Sequence, residues 1–147
     1  MAKPVLFDTG PLGKLAHPNA GPEIATWFRA LHEAGAEIVI PEIADYELRR
    51  NLLLEGLTDS IRRLDELEGF LRYLPLSTEH LRKAADLWAQ ARKAGKPTAD
   101  DKSLDGDVIL AAQALAIGGV VATQNVDHVA RFCDARFWKD VTPAALA

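Results

Sequence analysis

Three short apolar runs, each halted by a polar residue or a proline, constrain this chain most. Val5-Leu6-Phe7 stops at Asp8, Ile38-Val39-Ile40 at Pro41, and Val120-Val121-Ala122 at Thr123. Runs this short and this uniformly apolar predict strands buried on both faces. Between them the spacing is helical. Ile24, Trp27, Phe28 and Leu31 share one face of a predicted helix over 23–34, closed by Gly35. Helical patterns return over 43–54 and over 58–73, the second with Ile61, Leu64, Leu67 and Leu71 as its stripe. Ser77 is the predicted N-cap of a helix carrying Leu81, Ala84, Ala85, Trp88 and Ala91. Residues 105–117 are apolar nearly all round, which predicts a helix buried on most sides. Residues 74–76 and 137–141 are predicted as further strands, and 95–103 as a polar loop. Short strands alternating with helices predict an α/β fold, a parallel sheet with helices on both faces. Neither a repeat nor a linker interrupts the sequence, so residues 1–147 read as a single domain.

Composition excludes several classes. Hydrophobic residues make up 48% and charged residues 26%, too apolar and too balanced for a disordered chain. No apolar run approaches the ~20 residues of a membrane span, and only four residues separate Lys3 from Asp8, too few for the apolar core of a signal peptide. Cys133 is the only cysteine, which rules out an internal disulfide and a cysteine-built zinc cage. The expectation is a cytoplasmic protein with no membrane partner. A net charge of −4 argues against a DNA-coating role and leaves nucleic acid open as a substrate.

Function in parallel sheets sits at the carboxyl ends of the strands, which directs attention to a few oxygen-bearing residues. Asp8 ends the first run, either as a metal-binding acid or as the N-cap of a helix that includes Pro11. Glu47 lies at the edge of an inward stripe with Ile43 and Leu54, or is a surface partner of Arg50 or Asn51. Asp105 and Asp107 stand at the start of the predicted buried helix. One suits the positive end of the helix dipole, and having two leaves a second role for the other; Asp107 shares its face with Leu110, Ala111 and Ala114. Asp100 and Asp101 read as solvated. Thr123, Asn125 and Asp127 follow the last buried run with hydroxyl, amide and carboxylate oxygens, although Asn125 also suits a helix cap. A parallel sheet brings these groups together. Several carboxylates in one cleft repel each other without a cation, and oxygen-only donors suit Mg²⁺ or Mn²⁺. The chemistry that follows is metal-assisted phosphodiester hydrolysis.

Other chemistries lack their residues. Gly10-Pro11-Leu12-Gly13-Lys14-Leu15 has Leu15 where a P-loop needs Ser or Thr, and Asp8 where it needs Gly. A haloacid-dehalogenase-like phosphatase needs a second Asp at the position of Gly10. The four histidines show no zinc-ligand spacing, no Gly-x-Ser-x-Gly elbow is present, and Cys133 after Phe132 reads as packing.

Four segments in order carry a resemblance: Phe7-Asp8-Thr9-Gly10-Pro11-Leu12; Pro41 followed by Glu47-Leu48-Arg49-Arg50; Leu104-Asp105-Gly106-Asp107-Val108-Ile109-Leu110-Ala111-Ala112-Gln113-Ala114; and Val121-Ala122-Thr123-Gln124-Asn125-Val126-Asp127-His128. Together they resemble a PIN-domain nuclease, specifically a VapC-type toxin of a toxin–antitoxin pair. The resemblance implies a three-layer α/β/α sandwich and Mg²⁺- or Mn²⁺-dependent cleavage of RNA. It implies Asp8, Glu47 and Asp107 as metal-site acids, with Thr123 and Asn125 supporting them by hydrogen bonds. It also implies a homodimer and a small cognate antitoxin. Many relatives carry an acid three residues after the asparagine. Here His128 holds that place, so Asp127 or Asp105 is the candidate fourth acid. The Leu-rich stretch between 58 and 88 reads as core or as a dimer or antitoxin groove. Arg49, Arg50, Arg62, Arg63, Arg92, Lys93 and Lys96 are candidates for phosphate binding or solvated charges. The competing reading is a non-catalytic RNA- or protein-binding module that keeps the fold with a degraded site.

Overall fold

The computed structural model describes residues 2–95 and 101–147, without the side chains of 101–103. The apolar runs form β1 (Val5–Phe7), β2 (Ile38–Pro41) and β4 (Val120–Thr123), each fully buried. Two shorter, less buried strands complete the sheet, β3 (Arg72–Leu74) and β5 (Ala135–Phe137). All pairings are parallel, in the order β3-β2-β1-β4-β5. The chain therefore builds outward from β1 in one direction and then returns to build from β4 in the other.

Alternation along the strands divides the core. Val5, Phe7, Ile40 and Ala122 face α1 (Thr9–Ala16), α2 (Pro22–Glu33), α3 (Glu42–Glu55) and α4 (Thr58–Phe70), meeting Leu12, Trp27, Leu48 and Leu64. Leu6, Val39 and Val121 face the opposite way, onto Leu110 and Ala114 of α6 (Asp101–Ile117). Outside α6 lies α5 (Thr78–Lys93), packed through Ala84 and Leu87. Two short helices, α7 (Val126–Val129) and α8 (Pro143–Leu146), finish the fold. Helices, sheet and helices form the three layers that the sequence led us to expect. Gly119 lets the chain return tightly into β4, since a Cβ there would run into Leu6 and the Pro4 carbonyl.

The structure corrects several boundaries. The helix expected over 58–73 stops at Phe70, and the third strand is Arg72–Leu74, not 74–76. Residues 72–74 pair with Val39–Pro41, and the chain is then drawn away from the sheet where the Leu76 N–H donates to Glu42 Oε1 at 2.7 Å. The last strand is Ala135–Phe137, not 137–141, because Trp138 turns into a 3₁₀ turn and buries itself against Trp27, ring centres 5.2 Å apart. Residues 101–103 belong to α6, not to a loop; Lys96 and Asp100 lie outside the described residues, as does the Asp101 side chain. Asp105 and Asp107 therefore sit in the second turn of α6, where the helix dipole contributes little. Ser77 does cap α5, in a reciprocal capping box with His80. In the Leu-rich stretch Leu64 is buried and Ile61, Leu67 and Leu71 pack on the core, whereas Leu81 and Trp88 stay exposed.

Two polar anchors fix α3, the helix that carries Glu47. The first is Arg49, which donates to Asp45 at 3.0 Å and to Glu68 at 2.6 Å and pairs with Asp65 at 2.8 Å. The Tyr73 hydroxyl donates to the same Asp45 at 2.7 Å, joining β3 to the cluster. The second is Gln113 on α6, fully buried, whose Oε1 accepts from the Ile43 N–H at 3.3 Å and whose Nε2 donates to the Leu74 carbonyl at 2.9 Å.

Each anchor yields a measurement. Gln113→Leu keeps the volume and strands the Ile43 N–H, so it is expected to cost about 1–3 kcal/mol. That loss would appear as a lower urea midpoint at unchanged slope; a midpoint equal to the parent's would remove Gln113 as an anchor. Glu68 holds its proton up to about 7, chiefly through burial and then through Asp45, against the pull of Arg49. A carboxyl whose affinity for protons is raised on folding stabilises the fold below its ordinary titration range, and that contribution fades as pH rises toward 7. Thermal stability should therefore fall between pH 5 and pH 8, and Glu68→Gln should flatten that fall; an equally steep fall in the variant would assign it to other groups.

Candidate metal centre

The site begins where β1 and β4 end side by side. The Asp8 N–H donates to the Ala122 carbonyl at 3.0 Å, continuing the ladder one residue past β1. This fixes the backbone from which the Asp8 carboxylate projects. Its Oδ1 accepts from the Thr9 N–H at 2.7 Å and its Oδ2 from the Thr123 hydroxyl at 2.7 Å. Thr123 is fully buried, and its hydroxyl oxygen accepts from the Asn125 N–H at 3.0 Å. The hydroxyl has a single O–H to donate, and with the Asn125 N–H on its oxygen that O–H is turned onto Asp8. Asp8 is thus both the N-cap of α1 and the centre of a polar cluster; the two readings of the sequence are not exclusive.

Asn125 enters through its backbone. Its side chain makes no capping bond to α7, although it occupies the N-cap position. Glu47 comes from α3, and Arg50 Nη2 lies 3.9 Å from its Oε2, so the surface partner is present as well. Burial raises the proton affinity of Glu47, and the negative charges of Asp8 and Asp107 raise it further against Arg50. Asp107 comes from α6. Burial pushes its carboxyl up to about 6, with Asp8 adding to the shift and His128 and Arg131 opposing it. The charges of Asp8 and Asp107 thus act on Glu47, and that of Asp8 on Asp107, so carboxylates from three separate parts of the chain lie near one another where the strand order reverses.

The acids do not form a closed cage. Among the described residues, no three acidic, histidine or cysteine side chains converge tightly enough to hold an ion as they stand. The donor set nevertheless fits a hard divalent cation: it is all oxygen, partly buried, and under mutual repulsion that such a cation would relieve. Gly106 adds a second indication of fit. A Cβ at that position would stand 2.6 Å from Glu47 Oε2, so the absence of a side chain on α6 is what lets Glu47 lean in beside Asp107.

The other expected acids are exposed. Asp105 is exposed and lines a groove between α5 and α6 with Leu81, Trp88 and Val108, away from Asp107. Asp127 is exposed on α7, and the charges acting on Glu47 and Asp107 are chiefly Asp8, Arg50, His128 and Arg131 instead. The place opposite Asp107 belongs to His128, with Nδ1 at 3.9 Å from Oδ2. Sequence reasoning gave no role to Gly106 or Arg131. A glycine between two acids inside a helix, at a cost of about 1 kcal/mol in propensity, was the signal present for the first; Arg131 carried none. Several of the basic residues considered for phosphate binding are engaged elsewhere: Arg49 as above, Arg62 with Asp59 at 3.0 Å, and Arg63 on the Leu15 carbonyl at 3.1 Å. Cys133 is half-buried, its thiol pushed up to about 12 by burial and neighbouring acids, which leaves it unreactive at neutral pH.

Known proteins share this architecture. The structure superposes on VapBC2 from Rickettsia felis, solved bound to a promoter DNA fragment, with a TM-score of 0.75 at 15% identity, covering 91% of this chain and 98% of that one. It matches VapBC from Salmonella typhimurium, solved bound to DNA, with a TM-score of 0.68 at 23% identity over 94% and 99% of the two chains. FitAcB from Neisseria gonorrhoeae gives 0.70 at 18% identity over 93% and 99%. No curated protein sequence matches the chain. The PIN domain family model matches residues 5–134, a span that takes in Asp8, Glu47, Asp107 and Thr123, and the chain accordingly belongs to the PIN domain family.

Proposed function

We propose that this protein is a divalent-metal-dependent endoribonuclease of the VapC toxin type, with Asp8, Glu47 and Asp107 as its metal-site acids. One arrangement supports the reading: Asp8 just past the end of β1, Glu47 of α3 lying over the bare Gly106, and Asp107 next to Gly106 on α6 gather where the strand order reverses, and burial raises the proton affinity of Glu47 and Asp107 there. Uncompensated acids in a half-buried crevice destabilise the fold, so their convergence calls for a positive ligand. A bound Mg²⁺ or Mn²⁺ would supply a water activated for attack and a positive charge beside the developing phosphorane. Thr123, fixed by the Asn125 N–H, holds the Asp8 carboxylate in one rotamer with Oδ2 engaged. Gly106 leaves room for the Glu47 carboxylate, and His128 and Arg131 ease ionisation of Asp107. Asp105 and Asp127 take no part. Two of the solved relatives are VapBC complexes, which supports a small cognate antitoxin as partner. Exposed Leu81 and Trp88 are the apolar surface such a partner or a second copy of the chain would cover. The RNA substrate would be met in the cytoplasm. No helix among the described residues is long and apolar enough to cross a membrane.

Metal binding tests this directly. Mn²⁺ at about 100 times its Kd stabilises a folded protein by ~2.7 kcal/mol, which for a domain of this size raises Tm by roughly 5–10 °C. The rise should be larger at pH 7.5 than at pH 5.5, because below about 6 the ion must displace the Asp107 proton. Asp8→Asn is expected to abolish the rise and to slow RNA cleavage about 100-fold or more, whereas Asp105→Asn should leave both unchanged. A parent chain whose Tm ignores Mn²⁺ and Mg²⁺ at every pH would favour the non-catalytic module.

Gly106→Ala separates fold from site. The three atoms nearest the new methyl all belong to the flexible end of Glu47, so the carboxylate moves and the helix gains up to about 1 kcal/mol in propensity. Tm should hold or rise while the Mn²⁺ response shrinks. A variant with full Mn²⁺ response would take Glu47 out of the metal site.

A further inference from the structure

The bend after β4 leaves one exposed residue at its tip. Thr123 donates its hydroxyl to Asp8 at 2.7 Å, and the Asn125 N–H donates back to that hydroxyl oxygen at 3.0 Å. Gln124 stands between them, so its backbone is fixed on both sides although the residue is exposed. Its side chain runs back across the first turn of α1. A Cβ on Gly10 would stand 2.6 Å from Gln124 Oε1 and 3.1 Å from its Cγ and Cδ. Gly10 comes two residues after Asp8, much as Gly106 comes one before Asp107. At each, the three atoms nearest the missing Cβ belong to one polar side chain, Gln124 at the first and Glu47 at the second. Gly10 does not have the positive φ that calls for glycine. Two other constraints act there: Pro11 disfavours a Cβ on a helical residue before it, and the Gln124 side chain takes the space a Cβ would fill. No hydrogen bond to a described residue engages the Gln124 carboxamide.

We propose that Gln124 is a specificity-determining residue: laid over Gly10 beside Asp8, its carboxamide reads the edge of the RNA base next to the scissile phosphate. This assignment rests on the ribonuclease reading and adds to it a source of sequence preference. Contacts to phosphate position a nucleic acid without reading it, whereas base edges are read by matched donors and acceptors. A carboxamide offers one of each, side by side and without charge. It therefore adds no attraction for phosphates and no charge to the acid cluster, so selection among bases is what it can contribute. Its neighbour Thr123 touches Asp8, and a base that meets Gln124 accordingly belongs to a nucleotide at the cleaved bond.

Cleavage of a synthetic RNA pool, randomised along its length, by the full chain with Mn²⁺ tests this, the cut ends being sequenced. The parent should favour one base about tenfold at a position adjoining the cut. Gln124→Met keeps the length of the side chain and its rest on Gly10 but loses the donor–acceptor pair. It should erase the preference at that position and leave preferences elsewhere, the Tm and the Mn²⁺-induced rise in Tm as they are in the parent. Gly10→Ala pushes the carboxamide off its seat and should weaken the same preference; added to Gln124→Met it should change the base pattern no further. The proposal is overturned if Gln124→Met or Gly10→Ala keeps the parent's preference, or if the parent cuts beside all four bases alike. It is also overturned if Gln124→Met loses the Mn²⁺ response or all cleavage, since the residue then acts through the metal site. In each of these cases the parent still cuts RNA and the ribonuclease reading stands. A parent that cuts no RNA in Mn²⁺ overturns that reading and the role of Gln124 with it.

Discussion

Parallel pairing of β1 with β4 is the constraint on which the site depends. The two strands are neighbours in space but about 115 residues apart in sequence, and their common end brings Thr123 within 2.7 Å of Asp8. The chain leaves β1 toward β2 and β3 and later returns to β4 and β5. The helices that follow the two strands therefore diverge, and a crevice opens between them. Because the ladder continues through the Asp8 N–H, the carboxylate is set by sheet geometry instead of by a loop. The same geometry makes the residues upstream of it wholly apolar: Val5, Leu6 and Phe7 are buried from both faces, and any polar side chain earlier in the strand would lie inside the core.

That origin explains which parts were legible in the sequence. Val5–Phe7, Ile38–Pro41 and Val120–Thr123 are recognisable because double burial forces unbroken apolar runs. The acids at their ends, and the helical stripes between them, follow from the same rule. The edge strands were misplaced because edge position relaxes it: Arg72-Tyr73-Leu74 is half-exposed, and its register is set by Tyr73 reaching Asp45 and by its pairing to β2, partners that no local pattern encodes. The start of α6 was missed because Asp101-Lys102-Ser103 is polar and follows Gly95 and Pro97, so composition alone reads as loop. Asn125 drew attention for its side chain, and the bond it makes to Thr123 is through its backbone N–H, a contact any non-proline residue can make. His128, Gly106 and Arg131 owe their significance to α7 and α3 meeting α6, which is tertiary information.

The energetic cost of the site is visible in the molecule itself. Glu47 and Asp107 both hold protons more tightly than free carboxyls do, because burial removes water and the nearby acids remove any advantage of ionising. The surroundings lessen that cost without cancelling it. His128 stands 3.9 Å from Asp107 and Arg50 3.9 Å from Glu47, beyond hydrogen-bond range, so each opposes the shift and neither locks its partner. Carboxylates held in this way keep their lone pairs available.

A second acidic group in the same chain makes the contrast sharp. Asp45, Asp65 and Glu68 also bring three carboxylates together, but Arg49 sits among them at 3.0, 2.8 and 2.6 Å. There the fold needs the acids as an anchor for α3 and supplies its own guanidinium. Two residues earlier on the same helix, Glu47 turns to the other side, toward Asp8 and Asp107, where no cation among the described residues reaches hydrogen-bond distance. One helix thus carries an acid cluster with a guanidinium at its centre and borders another whose nearest cationic groups, Arg50 and His128, stand off at 3.9 Å. The arrangement at Arg49 shows how this chain neutralises acids it uses as an anchor; the wider spacing of Arg50 and His128 is the contrast that favours the proposed metal-binding role of the second cluster.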